Sequence, residues 1–204
     1  QHRNSMTATP DLEALWAGPF GDAYTERNRK VGTNRGTFWH GLQTGLFVQR
    51  CLEVGCNVGG NLRWLRPGSA FGVDVNREAL SDAAVVAPGH VSLASATSLP
   101  FDMESFDLVF TCGLLIHIQR DHLRAVMEEL ARVARQWVLL MEYAAPGQEV
   151  IPWRGQPAAL WRAPYGWLFQ EYVPWFKLDQ RVVLSPEAGF DNVTWWLFRR
   201  KWIG

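Results

Sequence analysis

Apolar residues in this chain gather into short, nearly unbroken runs separated by stretches in which they recur at helical spacing. The runs VQRCLEV (48–54), SAFGVDV (69–75), HVSLASA (90–96), FDLVFTCG (106–113) and WVLLMEY (137–143) have strand length, the third being short and partly polar. Continuous rather than alternating hydrophobicity predicts strands covered on both faces. Between them, Asn61 can cap a helix that turns Leu62 and Leu65 inward and stops at Pro67-Gly68. REALSDAAVVA (77–87) reads as a helix ended by Pro88-Gly89, and another runs from about Asp121 to Arg135. Upstream, Asp11 can cap a short helix with Leu12, Leu15 and Trp16 on one face, and residues 37–49 form a helix leading into the first strand.

Strict alternation of strand and helix predicts an α/β fold with a doubly wound, mostly parallel sheet between two helical layers. After residue 144 the rhythm breaks: 145–177 is rich in Pro, Gly and aromatics, and RVVL (181–184) with NVTWWLFRRK (192–201) can form a terminal hairpin. The 204 residues suit one domain large enough to bury a core.

Composition narrows the function. The chain is 48% apolar and 20% charged, with 20 basic and 20 acidic residues, so it lacks the basic surplus of a nucleic-acid enzyme. The RRK cluster (199–201) reads as a solvated strand end. Cys51, Cys56 and Cys112 make neither a C-x-x-C pair nor a metal-ligand spacing; Cys51 and Cys112 read as small buried hydrophobes. No metal is expected, and a reducing, cytoplasmic setting is. No run approaches the ~20 apolar residues of a membrane span, and no secretory leader is visible. QHRNS, ahead of Met6, is set outside the fold reading. Four of the 11 tryptophans (Trp153, Trp161, Trp167, Trp175) fall in one short C-terminal region.

The segment RCLEVGCNVGGN (50–61) carries the most chemistry. A Gly-rich turn after the first strand of a βαβ unit lets backbone approach a ligand. The G-x-G-x-x-G spacing of a pyrophosphate site fails from Gly55, because Asn57 stands where the second Gly would be. The residues fit an acidic-x-G-x-x-x-G pattern instead, with Glu53, Gly55 and Gly59, which suits a ligand with a zwitterionic amino-acid tail. Asn57 tolerates positive φ, so the turn survives. Asp74 lies 19 residues after Gly55, at the end of the second strand, where a carboxylate can accept both hydroxyls of a ribose. It could also be a loop acid starting a turn before Asn76. ASATSLPFDMESFDLVF resembles a D-A-x-x-LPF segment in which the acid accepts an adenine amino group; Ser95 stands in the place of that acid, and a backbone N–H at Ala96 or Thr97 can still meet the ring.

Turn, ribose acid and LPF-FDLV segment in this order resemble a class I, Rossmann-like methyltransferase dependent on S-adenosylmethionine. Within that class the chain is most similar to small methylases associated with pseudaminic acid biosynthesis. The residues that carry this are YTERN (24–28), the ExGxNxGxN signature from Glu53 to Asn61, GLLIHI (113–118), EY (142–143) with RG (154–155), and the closing TWWLFRRK. Ala144-Ala145 and Pro152-Trp153 depart from the pattern. The resemblance implies a seven-stranded, three-layer α/β/α sheet with a reversed final strand between the fifth and sixth. It divides the single domain into N-terminal lid helices (1–45), a cofactor-binding βα core (46–144), a substrate-side insertion (145–178) and a C-terminal β-hairpin (179–204). Tyr24, Arg27 and Asn28 would line the lid, with Arg27 on the cofactor carboxylate, unless TERNRK is only a solvated helix face. Cofactor contacts are expected from Glu53, Gly55, Cys56, Asn57, Gly59, Asn61, Leu62, Asp74, Val75, Ser95, Ala96, Thr97, Thr111, Cys112 and Gly113.

Methyl transfer displaces a good, neutral leaving group, so the protein mainly supplies positioning, and a base for a hydroxyl acceptor. His117, just past the fourth strand, is the first candidate for base or substrate-orienting group, although it can simply bond the loop backbone. Glu142 and Tyr143, ending the fifth strand, are expected to face the crevice, Glu142 to bind an acceptor or to cap a loop. Trp39, Arg154 and Tyr165 are candidate substrate contacts. His40, His90 and His122 read as surface or structural. The aromatics of 145–177 either stack on an acceptor or build a satellite core. The leading function is methylation of O or N of a small, sugar-related or natural-product intermediate by a monomer or homodimer. An RNA or protein methyltransferase and a non-catalytic cofactor-binding subunit are the alternatives.

Overall fold

The computed structural model describes residues 11–29 and 34–201. QHRNS, and Lys30 of TERNRK, lie outside the described residues. Helices α1 (Leu12–Ala17), α2 (Pro19–Asn28) and α3 (Gly36–Gly45) precede β1 (Cys51–Val54). Asp11 caps α1 by accepting the Ala14 N–H at 3.2 Å, and Pro19 opens α2 where a missing N–H costs nothing. Then follow β2 (Ala70–Asp74), α4 (Arg77–Val86), β3 (Val91–Leu93), β4 (Phe106–Cys112), α5 (Leu123–Val133) and β5 (Ala134–Glu142). The chain closes with β6 (Glu149–Trp153), β7 (Gln156–Arg162), α6 (Tyr165–Tyr172), β8 (Phe176–Val183) and β9 (Thr194–Arg200).

Seven strands form one sheet in the order β3-β2-β1-β4-β5-β9-β8. Neighbours from β3 through β5 are parallel, while β9 runs antiparallel to both β5 and β8. Alternate residues of each strand point to opposite faces. Leu52, Val109 and Val138 meet Met127, Leu130 and Phe169 from α5 and α6; Cys51, Leu108 and Leu139 meet Trp39 and Ala83 from α3 and α4. Both faces are therefore dry, as the unbroken apolar runs predicted. β6 and β7 stand apart as a two-stranded hairpin. The order reverses between β1 and β4, which opens a crevice beyond the carboxyl ends of the strands.

Two expected elements change. The helix from Asn61 is one 3₁₀ turn, Leu62–Trp64. Pro67-Gly68 leaves room for little more, and Asn61 Oδ1, the atom that would cap, accepts from Arg35 and Trp39 instead. β8 starts ahead of RVVL because this edge strand is held by pairing with β9, its residues after Phe176 being exposed. Arg200 of the RRK cluster donates to the carbonyls of Ala131 (2.7 Å) and Ala134 (2.6 Å), closing the end of α5. Its role is structural.

Candidate active site

The crevice has two lobes that share Tyr24, Gly55, Asn57, Cys112 and Gly113. The turn after β1 separates them. Gly55 and Asn57 hold positive φ (77° and 45°), as the acidic-x-G-x-x-x-G reading requires. A side chain on Gly55 would stand 2.8 Å from Leu114 Cδ1. The N–H groups of Gly55 and Cys56 both reach the Val73 carbonyl, tying the turn to β2.

In the first lobe Asp74 ends β2. Its Oδ2 accepts the Asn57 N–H (2.8 Å) and its Oδ1 the Asn76 N–H (2.9 Å). Burial raises its pKa, and these backbone donors oppose the rise. Each oxygen keeps acceptor capacity for a hydroxyl. Val75, Asn76, Ala94, Ala96, Leu114 and Ile118 line the same lobe.

In the second lobe Glu53 is 2% exposed. Its Oε1 accepts from the Asn61 amide at 2.6 Å, and its Oε2 is buried without a partner. Burial pushes this carboxyl up to about 8, with Asn61 and Arg35 pulling it down. The orphaned oxygen calls for a cation or donor from a ligand. Asn61 Oδ1 in turn accepts from Arg35 Nη1 (2.7 Å) and Trp39 Nε1 (3.3 Å). Arg35 also donates to the Gly189 carbonyl (2.8 Å) and lies 4.4 Å over the Phe190 ring. A buried carboxylate and a fixed guanidinium on one wall complement an ammonium and a carboxylate on one carbon.

The roof is aromatic. Trp16 lies 5.1 Å from Phe20, 5.2 Å from Tyr24 and 6.2 Å from Trp153 at the tip of the β6–β7 hairpin. His117 sits beneath, its ring 4.0 Å from Trp16. Burial lowers the His117 pKa to about 3, the Ala159 backbone opposing, and Nδ1 has no partner. The imidazole is therefore neutral at physiological pH and can accept a hydrogen bond from a substrate hydroxyl or amine. The roof is fastened to α4: the Asn76 amide donates to the Trp16 carbonyl (3.1 Å) and to Asp22 (2.8 Å), and Arg29 pairs with Glu78 and Asp82.

The structure brings together Tyr24, Asn28, Glu53, Gly55, Cys56, Asn57, Asn61, Asp74, Val75, Ala96, Cys112, Gly113, His117 and Tyr143 around the crevice. Other expectations require correction. Glu142 is fully buried; it accepts the Leu114 N–H at 3.1 Å and so caps the loop after β4 instead of facing the crevice. Thr111 is buried beside it. Trp39 is a core residue that orients Asn61, and Leu62 also turns into the core. Tyr165 is buried with its hydroxyl donating to the Trp161 carbonyl. Arg154 sits in the tight hairpin turn at φ 49°, over Trp153. Arg27 lies outside both lobes, over the Tyr24 and Trp153 rings, and the arginine that lines the second lobe is Arg35. Gly59 packs on Ala83, and Ser95 and Thr97 bond each other at 2.7 Å.

Several lining residues escaped the sequence reading: Glu13, Arg35, Gln119, His122, and Phe190, Asp191 and Val193 from the β8–β9 connection. No local signal distinguishes them, since tertiary packing alone brings them to the crevice. Trp167 and Trp175 are exposed, so they build neither an acceptor wall nor a satellite core. Among the described residues no group of His, Cys, Asp and Glu is placed to hold a metal ion, and no helix is long and apolar enough to cross a membrane.

Residues 52–140 match the family model described as a methyltransferase domain. Over that stretch the chain is similar to methyltransferase domains, and the sheet around it has the Rossmann-like methyltransferase fold. The match covers β1 through β5 and hence the turn, Asp74 and His117. The methyltransferase fold itself extends further. A Burkholderia thailandensis 1,6-didemethyltoxoflavin-N1-methyltransferase, solved with 1,6-didemethyltoxoflavin and S-adenosylhomocysteine, superposes with a TM-score of 0.72 at 15% identity, covering 98% of this chain and 93% of that one. Magnesium protoporphyrin IX methyltransferase from Synechocystis PCC 6803, solved with S-adenosylmethionine, gives 0.66 at 14%, covering 95% and 99%. At such identities the likeness is one of fold. No curated protein matches this chain in sequence.

Proposed function

We propose that the protein transfers a methyl group from S-adenosylmethionine to an O or N atom of a small organic molecule, a sugar-related or natural-product intermediate. The observation that carries this is the pair of lobes beneath one aromatic roof. The unpartnered oxygen of Glu53 and the guanidinium of Arg35 suit the amino-acid end of the cofactor, and Asp74 suits its ribose. When bound, the cofactor supplies an electrophilic methyl on a sulfonium.

The chain's own residues do the rest. Cys112 and Gly113 form the floor where the lobes meet. Tyr24 and Trp16 line the crevice with Trp153 packed against them, and an aromatic cover of this kind suits a compact acceptor better than a macromolecule. His117 orients the acceptor by accepting its hydrogen, its neutral ring adding no charge. The narrower likeness to methylases of pseudaminic acid biosynthesis rests on the motif residues around Tyr24, Glu53 and His117, and motivates sugar-type acceptors in the first trial.

The test uses purified protein and S-adenosylmethionine labelled in the methyl group, with amino sugars and hydroxylated heterocycles as acceptors. Label in one of these, with stoichiometric S-adenosylhomocysteine, is the expected result. Label only in RNA or in protein would reject the small-molecule reading. Cofactor binding with no transfer to any acceptor would favour a non-catalytic subunit.

A further inference from the structure

We propose that Glu13, on the N-terminal helix α1, reads the base of the cofactor by accepting a hydrogen bond from the exocyclic amino group of adenine. This rests on the adenosine-type cofactor assigned above.

Asp74, at the tip of β2, anchors the first lobe, and its backbone partners fix where a ribose sits. Beyond it the lobe runs between Val75, Ala94 and Ala96 on one side and Leu114 and Ile118 on the other. These walls are apolar and suit a flat ring. An adenine there presents an amino group, a donor that loses hydration and needs an acceptor. Ser95 lies on the adjoining segment, but its hydroxyl is already committed: it receives the Thr97 N–H (3.2 Å) and donates to Glu13 Oε2 at 2.6 Å. The carboxylates lining this lobe are Asp74 and Glu13 alone among the described residues. Glu13 therefore stands where an acceptor is wanted, one of its oxygens pinned by Ser95 and the other left over.

The arrangement has a physical logic. A short hydroxyl cannot reach a base as a carboxylate would, but it can hold a longer carboxylate brought from the roof. The bond to an ionised acceptor is the stronger kind. It also makes α1 a sensor of the base. Only with adenine in place does Glu13 have a ligand donor to complete its set, so the helix bearing Trp16 is held down over a loaded site.

Isothermal titration of the full chain with S-adenosylhomocysteine and with S-inosylhomocysteine, which carries a 6-oxo group in place of the amino group, tests this. Wild type should prefer the adenine compound by about tenfold or more. Glu13→Ala should bring the two to near parity, mainly by weakening S-adenosylhomocysteine. Glu13→Gln, which keeps length and an acceptor oxygen, should fall between. Adding Ser95→Asp to Glu13→Ala should restore the preference. Because Glu13 is exposed, melting temperatures should stay within a few degrees of wild type. An undiminished preference in Glu13→Ala overturns the proposal, as does an equal loss for both ligands, which would mark a purely structural helix contact. Wild type that binds neither nucleoside would reject the cofactor assignment itself.

Discussion

The carboxylate of Glu142, fully buried at the end of β5, accepts the backbone N–H of Leu114 at 3.1 Å across the sheet. One strand thus holds the loop that carries His117 on the next. Burial pushes this carboxyl up to about 7, with Thr111 and the loop amides opposing. A carboxyl whose folded pKa lies above its unfolded value binds more protons when folded. Stability from this group is full below about pH 4.5 and is lost as pH rises through about 7. Thermal melts of the cofactor-free protein should therefore show falling stability from pH 5 to 8. Glu142→Gln should flatten much of that slope; an unchanged slope would mean the carboxyl is already ionised in the fold.

The cofactor lobe carries the same physics with a different outcome. Glu53, held up at about 8, is largely protonated at neutral pH before a ligand binds. An incoming ammonium lowers its pKa, so binding should release a proton and strengthen as pH rises towards 8. Titration calorimetry at pH 7 in buffers of differing ionisation enthalpy should report that release. Glu53→Gln should abolish it.

Asp74 makes two backbone hydrogen bonds and still has lone pairs for a ligand. Asp74→Asn should weaken S-adenosylhomocysteine binding on the order of 10- to 100-fold. Its melting temperature should fall far less than a core truncation would make it. Affinity equal to wild type would remove the ribose role.

His117 lies beneath Trp16 and is neutral across physiological pH. The rate should therefore show no inflection near pH 6–7 from this ring. His117→Ala should lower kcat while changing cofactor Kd by about twofold or less, and His117→Asn should recover part of the rate. Parallel loss of kcat and cofactor affinity would mark it as a loop support.

Tyr165, expected to touch the acceptor, gives its hydroxyl to the Trp161 carbonyl inside the fold. Tyr165→Phe should cost about 1 kcal/mol of stability and leave KM for the acceptor unchanged. A raised KM would return Tyr165 to the site.

The strands were legible because their hydrophobicity is unbroken, and the placing of Glu53, Gly55, Asn57 and Asp74 at the crevice because it depends on the local backbone of a strand and its turn. Arg35 and Glu13 were not, because Arg35 comes from the segment just ahead of α3 and Glu13 from α1, neither of which carries a motif that points to the crevice. Trp39 and Tyr165 misled for a related reason: aromatic residues in a functional region look alike until burial separates them, and both are core side chains. Glu142 was foreseen at the correct strand end. Its direction depends on the loop after β4, which bends back and offers the Leu114 N–H.

Asn76 touches the two halves of the site at once. Its backbone amide steadies Asp74, and its side chain holds Trp16 and Asp22 of the cover. One asparagine thus ties the seating of the acid at the sheet's edge to the seating of the aromatic cover, so a change that displaces either one reaches the other through it.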